Sequence, residues 1–444
     1  MLALILLTLA QAPGPSDSRV TRVERVPEGR MPGGRSGVMS YAFFEAFPAS
    51  GAGTFGVCST TPPTGSRGEV LTFARASTAT CTRTASGGLA TTGIQNGDLV
   101  TMSAGQPRVE YDSAGTLGLL VESSRINSTL RSEQLDDLAW TLFGSGAAAP
   151  TVTANYATAP DGTLTAERLQ VAATTLAQRS IIFQASVPVD IRSVYVKGAN
   201  GTSGVIDVTQ DSVGVANNAC GCAYNPTTWT RCATRLAATG SFTIGNDGSV
   251  NACGSGTRAA LDVLVWGAQS ETGAYATSYI PTTSAAVTRV AEAASFDGLS
   301  LSTAAGVSWA ATVQHPSANG GGVWGAGANL VGDASNRTQL YRANTNVQQC
   351  DIFSTSGSRS VGTVISAYVA GQAYRQACSY SGAGAASTIS NYRDGTLIST
   401  SAAGLTSAFT IVTVLPGALG AAATTAPSDG ITSRICLDSP SRCR

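Results

Sequence analysis

Apolar residues come in short runs that alternate with polar ones, and turn-forming residues separate the runs. In Ser193–Lys197 the alternation puts Val194 and Val196 on one face and Tyr195 and Lys197 on the other, predicting a strand with one packed and one solvent face. Similar runs recur at Arg179–Phe183, Arg192–Lys197, Gly204–Val208 and Ala260–Trp266, the spacing expected of a β-sandwich. A second sandwich is expected from about residue 296, with Val307–Val313 as an early strand. Within it, Asn391–Ser399 carries an Asp394-Gly395 pair that predicts a tight hairpin, because glycine tolerates positive φ. Residues 40–130 hold briefer runs, Gly68–Ala74 and Gly118–Glu122 among them, broken by Gly, Pro and Ser. Helix signals are sparse: Ser132–Trp140 alone predicts a turn or two, and no solenoid or propeller repeat is present.

The expected fold is therefore all-β, with two tandem β-sandwich domains behind a small, loop-rich β cap and an N-terminal leader and linker. Residues 1–12 (MLALILLTLAQA) end in Ala10-Gln11-Ala12 and read as a signal peptide, although no Lys or Arg precedes the apolar run; Met31 or Met39 as the true start is the alternative. Residues 13–38 read as a flexible linker, 39–133 as the cap, 134–293 as the first sandwich and 294–444 as the second. A length of 444 residues suits about three packed units.

Composition removes several function classes. Charged residues make up 12% of the chain, about half the roughly 25% typical of globular proteins, and 27 basic residues balance 27 acidic ones. No electrostatic footprint for nucleic acid results. The N-terminal apolar run falls short of the roughly 20 residues that span a bilayer, so no integral membrane segment is expected.

The ten cysteines fall into local even groups: Cys58 and Cys81; Cys220, Cys222, Cys232 and Cys253; Cys350 and Cys378; Cys436 and Cys443. Even parity in each segment argues for disulfides within domains, with pairing open inside the group of four, and hence for an exported protein. Zinc is the competing reading, but Cys220-Gly-Cys222 lacks zinc-ribbon spacing and no histidine lies near.

The sole histidine, His315, precedes Pro316 in an expected loop, a poor basis for a catalytic triad or a His-ligated metal. Two carboxylates suffice for a glycosidase, and Glu110 and Asp112 would share a strand face. Ala114, however, stands where a third acid would complete a Glu-x-Asp-x-Glu strand. Asp207 with Asp211 and Asp136 with Asp137 read as solvated or turn residues. No catalytic residue and no catalytic metal are therefore assigned. Asn246–Ser249 and Asp161-Gly162 could lend one or two oxygens to a structural Ca2+ ion, the one cofactor entertained.

Sugar recognition needs aromatic platforms beside directional polar groups. Trp266 and Trp309 sit inside apolar strands and read as core, whereas Trp324 among glycines, Trp229 near the cysteines, and Trp140 are platform candidates. Tyr392 and Arg393 of the predicted hairpin complete the candidate glycan contacts.

Three stretches carry a resemblance. Phe73–Thr80 (FARASTAT), Pro107–Asp112 (PRVEYD) and Gly118–Asn127 (GLLVESSRIN) form the first. Ser132–Thr141, with Ala159–Thr163 and Thr165–Leu169 after it, forms the second, and Trp266–Glu271 with Tyr275–Thr283 the third. Together they resemble a pattern in bacteriophage tail, tail-fibre and virion-appendage proteins and their prophage-like bacterial relatives. The resemblance implies a carbohydrate-binding-module-like jelly roll for the first sandwich. Cys378–Tyr380 and Tyr392–Gly395 are similar to concanavalin A-like or laminin-G-like sandwiches. The implied function is non-catalytic glycan binding or adhesion by a virion tail or appendage component that recognises host surface polysaccharide. Its partners would be that polysaccharide and other virion or envelope proteins, and its place the extracellular space or a virion surface. Weak single sites would call for multivalent display, for which a homotrimer is the expected form. The leader and cysteines depart from cytoplasmically assembled phage proteins, so a secreted bacterial adhesin or matrix-binding protein stands as an alternative. A sandwich-fold polysaccharide hydrolase or lyase is the enzymatic one.

Overall fold

Every regular element among the described residues of the computed structural model is a β-strand. Those residues are 44–46, 57–63, 70–83, 92–111, 113, 115–187, 191–209, 219–235, 240–248, 257–273, 275–314, 328–331, 335–342, 347–364, 369, 371–416 and 430–438. All belong to the unit Tyr41–Arg444; the leader and linker expectations fall outside them.

Two sheets build the first sandwich. One has six strands, in spatial order Thr151–Ala157, Ala166–Val171, Leu261–Glu271, Ile191–Gly198, Trp229–Arg235 and Thr92–Ile94. Its partner has five: Ala219–Tyr224, Gly204–Thr209, Gly240–Asp247, Arg179–Val187 and Thr141–Ser145. Alternation along the strands fills the space between them with Leu169, Val171, Ile182, Val194, Val196, Ile206, Val208, Phe242, Ile244, Val263 and Val265.

The second sandwich pairs larger sheets. One runs Thr396–Ala402, Thr388–Arg393, Ala373–Tyr380, Val307–Gln314, Gly430–Asp438, Leu117–Val121 and Arg108–Tyr111, with Phe44–Ala46 also on Gly430–Asp438. The other runs Leu71–Ala74, Ala293–Ser302, Thr410–Pro416, Ala328–Val331, Arg337–Arg342, Val347–Ser354 and Gly357–Val364. Their shared core includes Leu119, Phe296, Trp309, Val313, Ile352, Tyr380, Ile411 and Val414. The Asp394-Gly395 hairpin forms as its sequence predicts, both residues having positive φ of 50° and 84°.

The segment 39–133 lends strands to both sandwiches. Leu71–Ala74, Arg108–Tyr111 and Leu117–Val121 extend the second, and Thr92–Ile94 extends the first. Among the described residues only Ala79–Thr82 with Leu99–Met102 makes a small sheet wholly from this segment, while Arg125–Asn127 pairs with Val287–Arg289.

Two expectations are corrected. Residues 132–140 form successive turns rather than helix: Gln134, Asp137 and Trp140 each donate a backbone N–H to the carbonyl three residues earlier. Tyr195 does not face solvent, because residues of the cap segment cover its side of the sheet.

Among the described residues three disulfides form, with Cα–Cα distances of 5.7 Å (Cys58–Cys81), 5.9 Å (Cys222–Cys232) and 5.9 Å (Cys350–Cys378). The latter two each join the two sheets of one sandwich. The side chains of Cys220, Cys253, Cys436 and Cys443 lie outside the described residues.

Candidate functional site

The outer face of the six-stranded sheet is built by the alternate residues Ala166, Arg168 and Gln170 of one strand and Asp262, Leu264 and Trp266 of its neighbour. At one end Ile94, Leu99 and Ala159 bury Trp229, Trp266, Tyr195 and Tyr279 in a satellite core. The indole N–H of Trp229 donates to Asn96 Oδ1 (2.9 Å) and that of Trp266 to Thr165 Oγ1 (2.9 Å), so this aromatic cluster is polar-satisfied as well as packed.

At the other end of the same face Gln170 is exposed and Arg168 and Asp262 are half-buried among the described residues. Arg168 reaches diagonally to Asp262 in a two-point pair, Nε–Oδ1 2.7 Å and Nη2–Oδ2 2.8 Å. Hydrogen bonding to Asp262 raises the Arg168 pKa, and the same bonding lowers that of Asp262. Asn200, in a left-handed backbone conformation (φ 50°), donates its amide to Asp262 Oδ2 at 3.0 Å. The Arg168 guanidinium carbon stands 5.0 Å from the centroid of the Tyr156 ring, which is 41% exposed. Thr202 donates its hydroxyl to the Asp262 carbonyl at 2.6 Å. A Cβ on Gly198 would collide with the Thr202 carbonyl, so glycine there lets the turn 199–202 fold back beside the sheet. Next to this group opens a cleft of about 500 Å³ lined by Gln170, Val171, Ala172, Thr202, Ser203, Tyr224, Ala260, Leu261 and Asp262. Asp262 belongs both to the cleft and to the group that holds the Tyr156 ring, the Arg168 fork and the Asn200 amide, chemistry suited to a polyhydroxylated ligand.

Among the described residues, the candidates singled out from sequence divide between the sandwiches, Trp140 and Trp229 in the first and Tyr392 and Arg393 in the second. Trp229 is fully buried, and Trp140 is 5% exposed with its N–H on the Arg131 carbonyl and its ring edge-on to Phe242, so neither indole offers a platform. Neighbouring apolar context, invisible in the local sequence, makes both core residues. Tyr392 lies half-buried against Ala310 and Ala377 in the second sandwich. Beside it, Arg393 stacks on Tyr374 (4.1 Å) and approaches Asp394 at 3.7 Å. Trp324, His315 and Asp112 lie outside the described residues. Tyr156, Asn200 and Asp262 carried no signal, since the Arg168–Asp262 contact spans 94 residues of chain.

Of the oxygens weighed for calcium, Asn246 Oδ1 is buried without a hydrogen-bond partner, Ser249 lies outside the described residues, and the two carboxylates are engaged. Asp161 Oδ1 accepts from the Thr163 N–H and hydroxyl, and Asp247 pairs with Arg179. Among the described residues no group of three or more His, Cys, Asp or Glu is placed to hold a metal ion.

The signature residues do assemble, but inside the protein. Arg108 donates Nε and Nη2 to Glu292 (2.8 and 2.6 Å) and also meets Glu122 Oε2 (2.7 Å). Arg75 binds Glu292 at 2.7 Å, and Arg289 binds Glu122. Glu122 accepts the Ser278 N–H at 3.0 Å, and Asn127 bridges the carbonyls of Ala268 and Ile280. Burial alone would push the Glu122 carboxyl up, but the guanidinium charges of Arg289 and Arg108 outweigh it and hold the pKa well below the ordinary range. Glu110 has the opposite balance: burial dominates the Arg108 attraction and pushes it up to about 7. With 1% exposure and its Oε1 on the Thr82 N–H, Glu110 cannot reach a substrate. This cluster ties strands of the second sandwich to the chain leaving the first.

No protein-family model and no curated protein sequence matches the chain. Among solved structures it is similar to the mouse laminin alpha1 chain, domains LG4-5, with a TM-score of 0.24 and 10% identity, covering 60% of this chain and 85% of that one.

Proposed function

We propose that this protein binds glycans without cleaving them, and that the recess beside Tyr156, Arg168, Asn200 and Asp262 is a binding site. The observation that carries this reading is the convergence of an exposed ring and a preformed fork of hydrogen-bonding groups on the sheet's outer face. Sugars present apolar ring faces edged with hydroxyls, which such a surface matches. The buried position of Glu110 weighs against the two-acid hydrolytic reading built on Glu110 and Asp112.

The biological setting we propose is a virion tail or appendage component that grips host surface polysaccharide; the signature stretches support it by resemblance. A secreted adhesin uses the same chemistry, and the disulfides fit either extracellular setting. No helix of the described residues is long and apolar enough to cross a membrane. Display as a homotrimer would raise weak single-site affinity to firm attachment.

A glycan array probed with the full chain, followed by a reducing-sugar assay on each hit, tests the reading. Binding is expected without sugar release, and Tyr156→Ala and Arg168→Ala should each weaken it at least ten-fold while the fold persists by circular dichroism. Binding undiminished in both variants, or sustained sugar release, would overturn it.

A further inference from the structure

We infer that the recess selects uncharged saccharides presenting two neighbouring hydroxyls, and turns away sugars bearing carboxylate or sulfate. The inference rests on the glycan-binding reading above and adds the ligand's charge class.

The residues lining the cleft include one ionised side chain, Asp262, and that carboxylate is already matched by Arg168 through two short hydrogen bonds. Asn200 supplies a third donor to the same carboxylate. The guanidinium is therefore not an open anion receptor, because its Nε and Nη2 edge is occupied by Asp262. An incoming carboxylate or sulfate must displace Asp262 from that edge, leaving it unpaired, or sit beside it and bear the repulsion. Either outcome penalises anionic ligands, so the pair acts as a selectivity device as well as a structural contact.

A neutral diol meets no such penalty. The Arg168 Nη1 group makes no hydrogen bond among the described residues and can donate to one hydroxyl oxygen, while the Asp262 oxygens can accept from the next. Gln170 and Ser203 are exposed at the cleft and add an amide and a hydroxyl. The Tyr156 ring stands beside the guanidinium as the apolar contact.

The test pairs neutral hexasaccharides with their acidic counterparts: cellohexaose with C6-oxidised cellohexaose, mannohexaose with hexamannuronate, and galactohexaose with hexagalacturonate. Titrations by calorimetry would use the full wild-type chain and Asp262→Asn, which keeps the side-chain shape and an acceptor for Arg168 but removes the charge. The wild type should prefer the neutral member of the pair it binds by at least ten-fold, with affinity changing less than two-fold between low and high salt. Asp262→Asn should raise affinity for the acidic member at least ten-fold, a reversal that loss of a merely structural contact would not give. Equal or tighter wild-type binding of an acidic member, or no gain in Asp262→Asn, would overturn the charge-class inference and leave glycan binding standing. If the folded wild type binds neither class here nor on the array, the functional reading falls and this inference with it.

Discussion

Arg108 and Glu292, 184 residues apart in the chain, meet in a two-point ion pair with neither side chain exposed to solvent. Arg108 lies on an edge strand of the second sandwich, and Glu292 immediately precedes a strand of the opposite sheet. Ser278, from the segment leaving the first sandwich, touches both Arg108 and Glu122. One buried cluster therefore links parts of both sandwiches. Removing a single partner strands a charge away from water, which costs about 3–5 kcal/mol. We expect wild-type protein to unfold in one calorimetric transition and Arg108→Ala to lose about that much stability, with the transition splitting in two. A single unsplit transition at wild-type temperature would contradict the linking role.

Stability should also fall as the solution moves from mildly acidic to neutral pH, in part through Glu110. Its folded pKa of about 7 stands above an ordinary value of 4.5. Below pH 4.5 folded and unfolded chains both hold the proton. As pH rises from there to about 7, the unfolded chain releases it first, so native stability drops by about 3 kcal/mol and then levels off. Glu167, raised to about 9 by burial and by its Asp136 neighbour, acts in the same direction. Glu122, held well below the ordinary range, contributes stability that is present above its unfolded value and lost in stronger acid. Glu110→Gln should thus be close to neutral at pH 4 and stabilising by about 3 kcal/mol at pH 8, as read from urea denaturation. An effect of equal size at both pH values would show that the carboxyl's charge is not its cause.

Much of the fold was legible in local pattern. The Val194 and Val196 alternation, the Asp394-Gly395 turn and the even grouping of cysteines each concern residues whose roles neighbours in sequence decide. What was not legible depends on distant chain. Trp229 and Tyr195 are covered by residues such as Ile94 and Leu99, which no period around residue 195 or 229 reveals. Residues 132–140 carry helix-compatible spacing, yet Asn127, Gln184 and Tyr279 hold their surroundings through long-range hydrogen bonds and three successive turns result. The candidate site suffers most, because Arg168 and Asp262 become partners only through strand register.

The two inter-sheet disulfides among the described residues differ in the loop that each closes. Cys350 and Cys378 are 28 residues apart, and Cys222 and Cys232 are 10 apart. Closing the longer loop removes more freedom from the unfolded chain, so its loss should cost about 3–4 kcal/mol against about 2–3 for the shorter. Paired Cys→Ala variants, Cys350→Ala with Cys378→Ala and Cys222→Ala with Cys232→Ala, should rank in that order in chemical denaturation. The reverse order would mean that native-state packing, rather than loop closure, sets their contribution.

Gly267 separates stability from recognition within one strand. It sits at the bulge where Leu261–Glu271 shifts register against Ile191–Gly198, with φ of 68°, and a Cβ there would come within 3.2 Å of both the Tyr195 and Tyr279 rings. Left-handed backbone costs a non-glycine residue about 1–2 kcal/mol before any crowding, so Gly267→Ala should lose about 2 kcal/mol or more. Asp262 lies before the bulge, and its side of the strand pairs in unbroken register with Ala166–Val171 from Glu167↔Val265 to Val171↔Leu261. The Arg168–Asp262 geometry should therefore survive the substitution. We expect Gly267→Ala to melt earlier yet bind the same glycan with unchanged affinity below its transition; a parallel loss of affinity would mean that the recess is built on the bulge and not on the neighbouring register.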